Sequence, residues 1–129
     1  MLNEYKIHEQ ERAEQNIPPL PLDPDQTSQL VDLLKADHEE SELLLYLLKE
    51  RVPAGVDQSA YVKAAFLADI TTGKSTSPYL SKLEAVKLLG TMLGGYNIQP
   101  LIACLKTDDL GEEAANALSK TLLIFDAFN

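Results

Sequence analysis

Leu88-Leu89-Gly90-Thr91-Met92-Leu93-Gly94-Gly95-Tyr96-Asn97-Ile98-Gln99-Pro100-Leu101-Ile102-Ala103-Cys104-Leu105 is the stretch that decides how this chain folds. Leu83, Val86, Leu89, Met92 and Leu93 recur every third or fourth residue, the spacing of one buried stripe on a helix. Gly94-Gly95 is expected to end that helix, because glycine enters the left-handed region without steric cost. Asn97 is expected to cap the next helix, its side-chain oxygen accepting from the free amides of the first turn. Pro100 falls within that turn, where a missing N–H is no loss. Ile98, Leu101, Ile102 and Leu105 then repeat the helical spacing. The stretch reads as two helices facing each other across a tight turn.

The same logic extends in both directions. Residues 2–16 form a charged helix with a thin apolar face of Leu2 and Tyr5. Ile17-Pro18-Pro19-Leu20-Pro21-Leu22 cannot continue it, since proline denies both an amide and the helical geometry of the residue before it. This segment is an extended strap, with Ile17, Leu20 and Leu22 as its packing residues. Asp23-Pro24-Asp25-Gln26 has the form of a capping box opening a helix with Leu30, Val31, Leu33 and Leu34. Asp37 and Glu40 make a second candidate box, ahead of the apolar run Leu43–Leu48. Leucines rather than β-branched residues, with acids before and Lys49 and Arg51 after, favour a buried helix there. Val52-Pro53-Ala54-Gly55 breaks the chain, and a helix from Asp57 or Ser59 to Gly73 carries Val62, Ala65, Phe66 and Ile70 on one face. After a polar loop the Leu88 helix starts near Ser81. A last helix follows Thr107-Asp108-Asp109 and turns Ala114, Leu118, Thr121, Leu122 and Phe125 inward.

Helical hairpins thus begin near residues 24, 57 and 97, a spacing that brackets the roughly 40-residue period of HEAT repeats. The expected fold is all-α: about three hairpins stacked in a HEAT-like, right-handed α-solenoid, preceded by one helix. The organisation is a single domain, with residues 1–22 as helix and strap and 23–129 as the helical stack.

Composition narrows the function. With 45% hydrophobic and 24% charged residues the chain reads as soluble and globular. No apolar run approaches the roughly 20 residues of a membrane span, and the N-terminus lacks a signal-peptide layout. One cysteine cannot form an internal disulfide, which fits a cytoplasmic location. Twenty acidic residues against eleven basic ones give a formal charge of −9, which disfavours nucleic acid and anionic lipid as partners.

No residue set announces catalysis. Gly73-Lys74-Ser75 has the end of a phosphate-binding loop but not its beginning: Ala68 stands where that loop needs glycine, and a helix where it needs a strand. His8 and His38 are the only histidines, and the acids around His38 lack metal-ligand spacing, so a solvated helix start explains them. Cys104 reads as a half-buried packing residue. No catalytic, cofactor or metal residue is assigned. Gly90 reads as a close-approach position and Gly94-Gly95 as a turn. Tyr96, which the turn does not require, is the candidate anchor of an interface. Phe125 and Phe128 join it, because the Leu43–Leu48 run and these aromatics supply more apolar surface than one face per helix can hide.

Three blocks of this sequence resemble the N-terminal domain of aconitase B. They are Arg51-Val52-Pro53-Ala54-Gly55-Val56-Asp57 running on to Phe66-Leu67-Ala68, then Leu88–Met92 with Gly94–Ile98 and Pro100–Ile102, and Ala117–Leu123 with Phe125-Asp126 and Phe128. The likeness covers essentially the whole chain. It implies a HEAT-like fold and a non-catalytic part of a lyase, an aconitate hydratase, that interconverts citrate and isocitrate in the tricarboxylic acid cycle. It implies a [4Fe–4S] cluster in the full enzyme, with none in this chain, whose single cysteine matches no cluster ligand. The partners it implies are aconitase catalytic domains in cis or a second copy in a homodimer. A free-standing HEAT-like adaptor and an RNA-regulatory module are the alternatives. The end at Phe128-Asn129, aromatic and without a polar tail, is expected to be a cut within a longer chain.

Overall fold

A computed structural model describes residues 1–53, 55, 57–92, 95–107 and 109–127, with side chains through residue 120. Seven helices follow in order: α1 (Leu2–Glu14), α2 (Pro24–Leu34), α3 (Ser41–Glu50), α4 (Gln58–Thr72), α5 (Lys82–Gly90), α6 (Ile98–Cys104) and α7 (Gly111–Ala127). Among the described residues there is no strand, only an isolated bridge between Ser77 and Leu80. The all-α expectation holds. The hairpins α2–α3, α4–α5 and α6–α7 start where the sequence places them. α2 also packs on α4, α5 on α7 and, lightly, α4 on α6, so the first helices of the hairpins stack in a row and, of the second helices, α5 stacks on α7.

Helix starts follow their caps. Asp23 accepts from the Gln26 amide at 2.7 Å while Gln26 accepts from the Asp23 amide at 3.0 Å. Ser81 and Glu84 close the same reciprocal box on α5, and Asp57 accepts from the Ser59 amide at 2.8 Å on α4. The expected Asp37–Glu40 box does not form, because α3 begins later, at Ser41. There the His38 imidazole takes the Glu40 amide instead, at 3.0 Å. The Tyr79 hydroxyl holds that turn from across the fold, accepting from the His38 amide at 2.6 Å and donating to its carbonyl at 3.0 Å.

The core is a leucine-rich seam. Leu30, Leu34, Leu44, Leu47, Leu48, Leu67, Leu89 and Leu101 have no exposure. Each contributes about 1.5–3 kcal/mol of burial energy. The α3 run resolves into an ordinary stripe, with Leu44, Leu47 and Leu48 buried, Leu43 and Leu45 half-buried and Tyr46 exposed. Little of its expected apolar surplus therefore reaches the surface. On α4 the expected face is rotated: Phe66 and Ile70 are buried, but so are Ala60, Lys63, Ala64 and Leu67, while Ala65 is exposed. α4 meets α2, α5 and α6, so it buries a wide arc rather than one stripe.

The deciding stretch needs the most correction. α5 stops at Gly90 rather than at Gly94-Gly95, and Gly95, at φ +99°, shapes the turn beyond it. Leu93 and Gly94 lie outside the described residues. Leu83, Ile102 and Leu105 are 41%, 40% and 43% exposed, whereas Leu101 and Cys104 are the buried residues of α6. Cys104 is thus fully rather than half buried. The short α6 turns the Leu101–Cys104 edge inward, which carries Ile102 and Leu105 to the surface. Asn97 is fully buried and caps the helix behind it, not the one ahead: its Nδ2 donates to the carbonyls of Leu89 at 2.7 Å and Met92 at 3.2 Å. Those carbonyls sit at the end of α5, where the helical ladder runs out, and that of Leu89 also takes the Met92 amide at 3.2 Å. Gly90 lets α5 and α7 touch, since a Cβ there would stand 2.7 Å from Ala117 Cβ.

α1 and the strap are fastened by hydrogen bonds to distant residues. Arg12 Nε donates to the Pro18 carbonyl at 2.9 Å, the Leu20 amide donates to His8 Nε2 at 3.0 Å, and Arg51 donates to the Pro19 carbonyl. The Leu22 amide donates to the Arg51 carbonyl at 2.9 Å, and Ser59 Oγ donates to the Leu22 carbonyl at 3.0 Å. Leu22 is buried, but Ile17 and Leu20 are exposed, so one of the three expected packing residues packs. The Pro-rich backbone is held mainly by its polar groups. Beneath it Tyr5 is buried, which pushes its phenol above the usual value, and the neighbouring Glu9 adds to that while Arg51 opposes it.

Candidate interaction surface

Tyr96 stands in the turn between α5 and α6, between Gly95 with its positive φ and the buried Asn97. Asn97 pins the backbone to the end of α5, so the adjoining tyrosine is carried on a fixed support. Its ring meets Tyr61 of α4 edge to face, with centroids 5.5 Å apart and planes at 79°. Such pairs are worth about 0.5–1.5 kcal/mol beyond their buried area. Tyr61 remains 54% exposed and Tyr96 half-buried.

The two rings flank a cleft of about 340 Å³. Ala64 and Ala65 line the α4 side, Pro100 the α6 side, and Gln99 adds an amide. The lining is mostly apolar and carries no charged side chain. It offers shape and aromatic faces to a partner, and no acid, base or nucleophile suited to bond-making. Phe125 and Phe128 cannot be brought to this surface: the side chain of Phe125 and all of Phe128 lie outside the described residues.

The other sequence candidates serve the fold. His8 Nε2 and His38 Nδ1 each accept a backbone amide, of Leu20 and Glu40 respectively. Among the described residues no three His, Cys, Asp or Glu side chains gather as a metal site. Gly73 is the left-handed cap of α4, and the Ser75 amide returns to the Asp69 carbonyl at 3.2 Å, so Gly73-Lys74-Ser75 is a helix ending. Cys104 is a buried thiol in α6.

Two residues escape the first reading of the sequence. Tyr61 completes the aromatic pair, and its signal was an aromatic one turn before the exposed Ala65. Lys63 is buried on the inward stripe of α4. Its desolvation lowers the ammonium to about 8, against a raising effect of Glu50. Its spacing from Ala60, Leu67 and Ile70 placed it on that stripe, but lysine at an inward position is rare enough to be passed over.

Comparison with known proteins bears on the same chain. The family described as Aconitate B N-terminal domain matches residues 4–129. Aconitate hydratase B of Synechocystis sp. is 54% identical over 132 residues, covering 100% of this chain and 15% of the relative. The proteins of that name from Salmonella typhimurium and Escherichia coli are 56% and 55% identical over 129 residues, covering 99% of this chain and 15% of each relative. The chain therefore spans about 15% of the length of the curated relatives it matches. A match across almost every residue, at more than half identity and over an all-helical structure, leads to one conclusion: this chain belongs to the aconitate B N-terminal domain family.

Proposed function

We propose that this chain is a non-catalytic, HEAT-like interaction module that works in the cytoplasm as part of an aconitate hydratase B. Its partner is the rest of that enzyme in cis, or a second copy. The observation that carries this reading is the Tyr61–Tyr96 pair, Tyr61 exposed and Tyr96 half-buried, at the mouth of an uncharged, mostly apolar cleft. Aromatic residues on a rigid support are what interfaces concentrate their binding energy in. The excess of acidic over basic residues directs the module to protein rather than to RNA.

The family's [4Fe–4S] chemistry belongs to the rest of the enzyme. A cluster takes several thiolates, and this chain has one cysteine, buried in α6. The residues here do not fit the group, and none is assigned to it.

Sedimentation and mixing with the remaining domains of the Escherichia coli relative test the reading. Tyr96→Ala is expected to weaken association by about 2 kcal/mol, roughly thirtyfold in Kd, with circular dichroism unchanged. A chain that stays strictly monomeric at high concentration and ignores those domains refutes it.

A further inference from the structure

The two histidines of this chain each accept a backbone amide, but they differ in what stands behind them. His38 Nδ1 takes the Glu40 amide at 3.0 Å, and Tyr79 clasps the same turn with two hydrogen bonds that do not involve the imidazole. His8 Nε2 takes the Leu20 amide at 3.0 Å, and among the described residues that amide has no other acceptor. The remaining ties of the strap run from Arg12 to the Pro18 carbonyl, from Arg51 to the Pro19 carbonyl, and from Leu22 to Arg51 and Ser59. They use guanidinium, hydroxyl and backbone groups, none of which changes charge between about pH 5 and 8, where histidine does. Leu20 and Pro21 thus form a short flap, fixed on either side at Pro19 and Leu22 and closed by a single titratable acceptor.

The flap forms part of the wall of a cavity of about 270 Å³, whose other lining residues are Tyr5, His8, Asp23 and Gln26. Asp23, at the start of α2, is the one carboxylate in that lining. On α1 itself Glu4, Tyr5, Glu11 and Arg12 stand about one turn from His8. The strap from Ile17 to Leu22 carries no charge. We propose that His8 is a proton-operated latch on this flap. As neutral imidazole, with its proton on Nδ1, it holds the Leu20 amide and keeps the flap closed. In an imidazolium both ring nitrogens are donors, so the Leu20 amide is given up. The new charge is met by Asp23, which shares the cavity, and the released amide turns to water, since Leu20 is already 54% exposed. The Leu20–Pro21 flap then opens toward Tyr5 while the anchors at Pro19 and Leu22 hold. The sign follows from the acceptor: the closed form is present where histidine is neutral and is lost as pH falls.

The test follows the isotope-labelled 129-residue chain by nuclear magnetic resonance between about pH 8 and pH 5. At the upper end the ring nitrogens of His8 should report the Nδ1–H tautomer and those of His38 the Nε2–H tautomer, because each ring must leave a different nitrogen free to accept. Exchange of the Leu20 amide, corrected for its intrinsic pH dependence, should quicken by about tenfold toward the lower end. The amides of Ile17 and Leu22, which donate to backbone carbonyls, should change less. His8→Gln, whose side-chain oxygen accepts without titrating, should keep Leu20 protected throughout, and His8→Ala should leave it unprotected throughout. His38→Gln should leave the response of Leu20 intact. The proposal is overturned by an Nε2–H tautomer at His8, by Leu20 protection indifferent to pH, or by a pH response that survives His8→Gln.

Discussion

Asn97 looks like a helix N-cap by type and position, yet its side chain serves the two carbonyls that end α5. Removing the amide takes the side-chain donor from both carbonyls in a buried place, although that of Leu89 keeps the Met92 amide at 3.2 Å. Asn97→Ala is expected to cost about 2–3 kcal/mol. In a chain of this size that lowers Tm by about 10 °C in a thermal melt. Lys63 carries the opposite kind of cost. Its folded-state value, about 8, lies below the 10.5 of an unburied lysine. Below pH 8 both states hold the proton and the full penalty for enclosing the charge is present. From pH 8 to 10 the unfolded chain keeps a proton that the folded chain has released, so stability rises with pH. The relief is at most about 3 kcal/mol. Tyr5, with its phenol raised above 10.0, acts in the other direction only beyond that window. Lys63→Met should therefore raise stability at pH 7 and flatten the rise, as read by denaturant titrations across the window.

Between elements the decisive contact is Gly90 against Ala117. A methyl group added at Gly90 falls 2.7 Å from the Ala117 Cβ, far inside van der Waals distance. The helix-propensity gain of alanine over glycine is about 1 kcal/mol at mid-helix and less at the last residue of α5. Overpacking costs about 1–3 kcal/mol, so the clash prevails. Gly90→Ala should destabilise the chain in urea, and adding Ala117→Gly should recover part of the loss. A close approach at Gly90 was legible in the sequence, because a glycine before the end of an apolar stripe has few other uses, but its partner Ala117 was not. The capping boxes at Asp23 and Ser81 were legible because both partners are local. What sequence periodicity could not give was the direction in which each stripe points. On α4 and α6 that depends on how many neighbours a helix meets, which is a property of the stack. Ala65, Ile102 and Leu105 consequently came out exposed, and Cys104 buried.

Over the whole molecule the hairpin order was readable, since helix starts are marked by local chemistry and breaks by Pro and Gly. The candidate site was readable only in half. Tyr96 stood out as an aromatic in a turn, but Tyr61 joins it from 35 positions earlier in the chain. The strap was legible as extended backbone but not in its manner of attachment. Four of its polar groups, those of Pro18, Pro19, Leu20 and the Leu22 amide, together with the Leu22 carbonyl, are satisfied by Arg12, His8, Arg51 and Ser59. These donors and acceptors sit on α1, at the end of α3 and at the start of α4. The strap is accordingly held in full only where those three places have come together. In the time order of folding it is therefore expected to arrive late, as a seal set over the assembled stack. The proline-rich segment then becomes the first part of the chain to lift when the molecule begins to open.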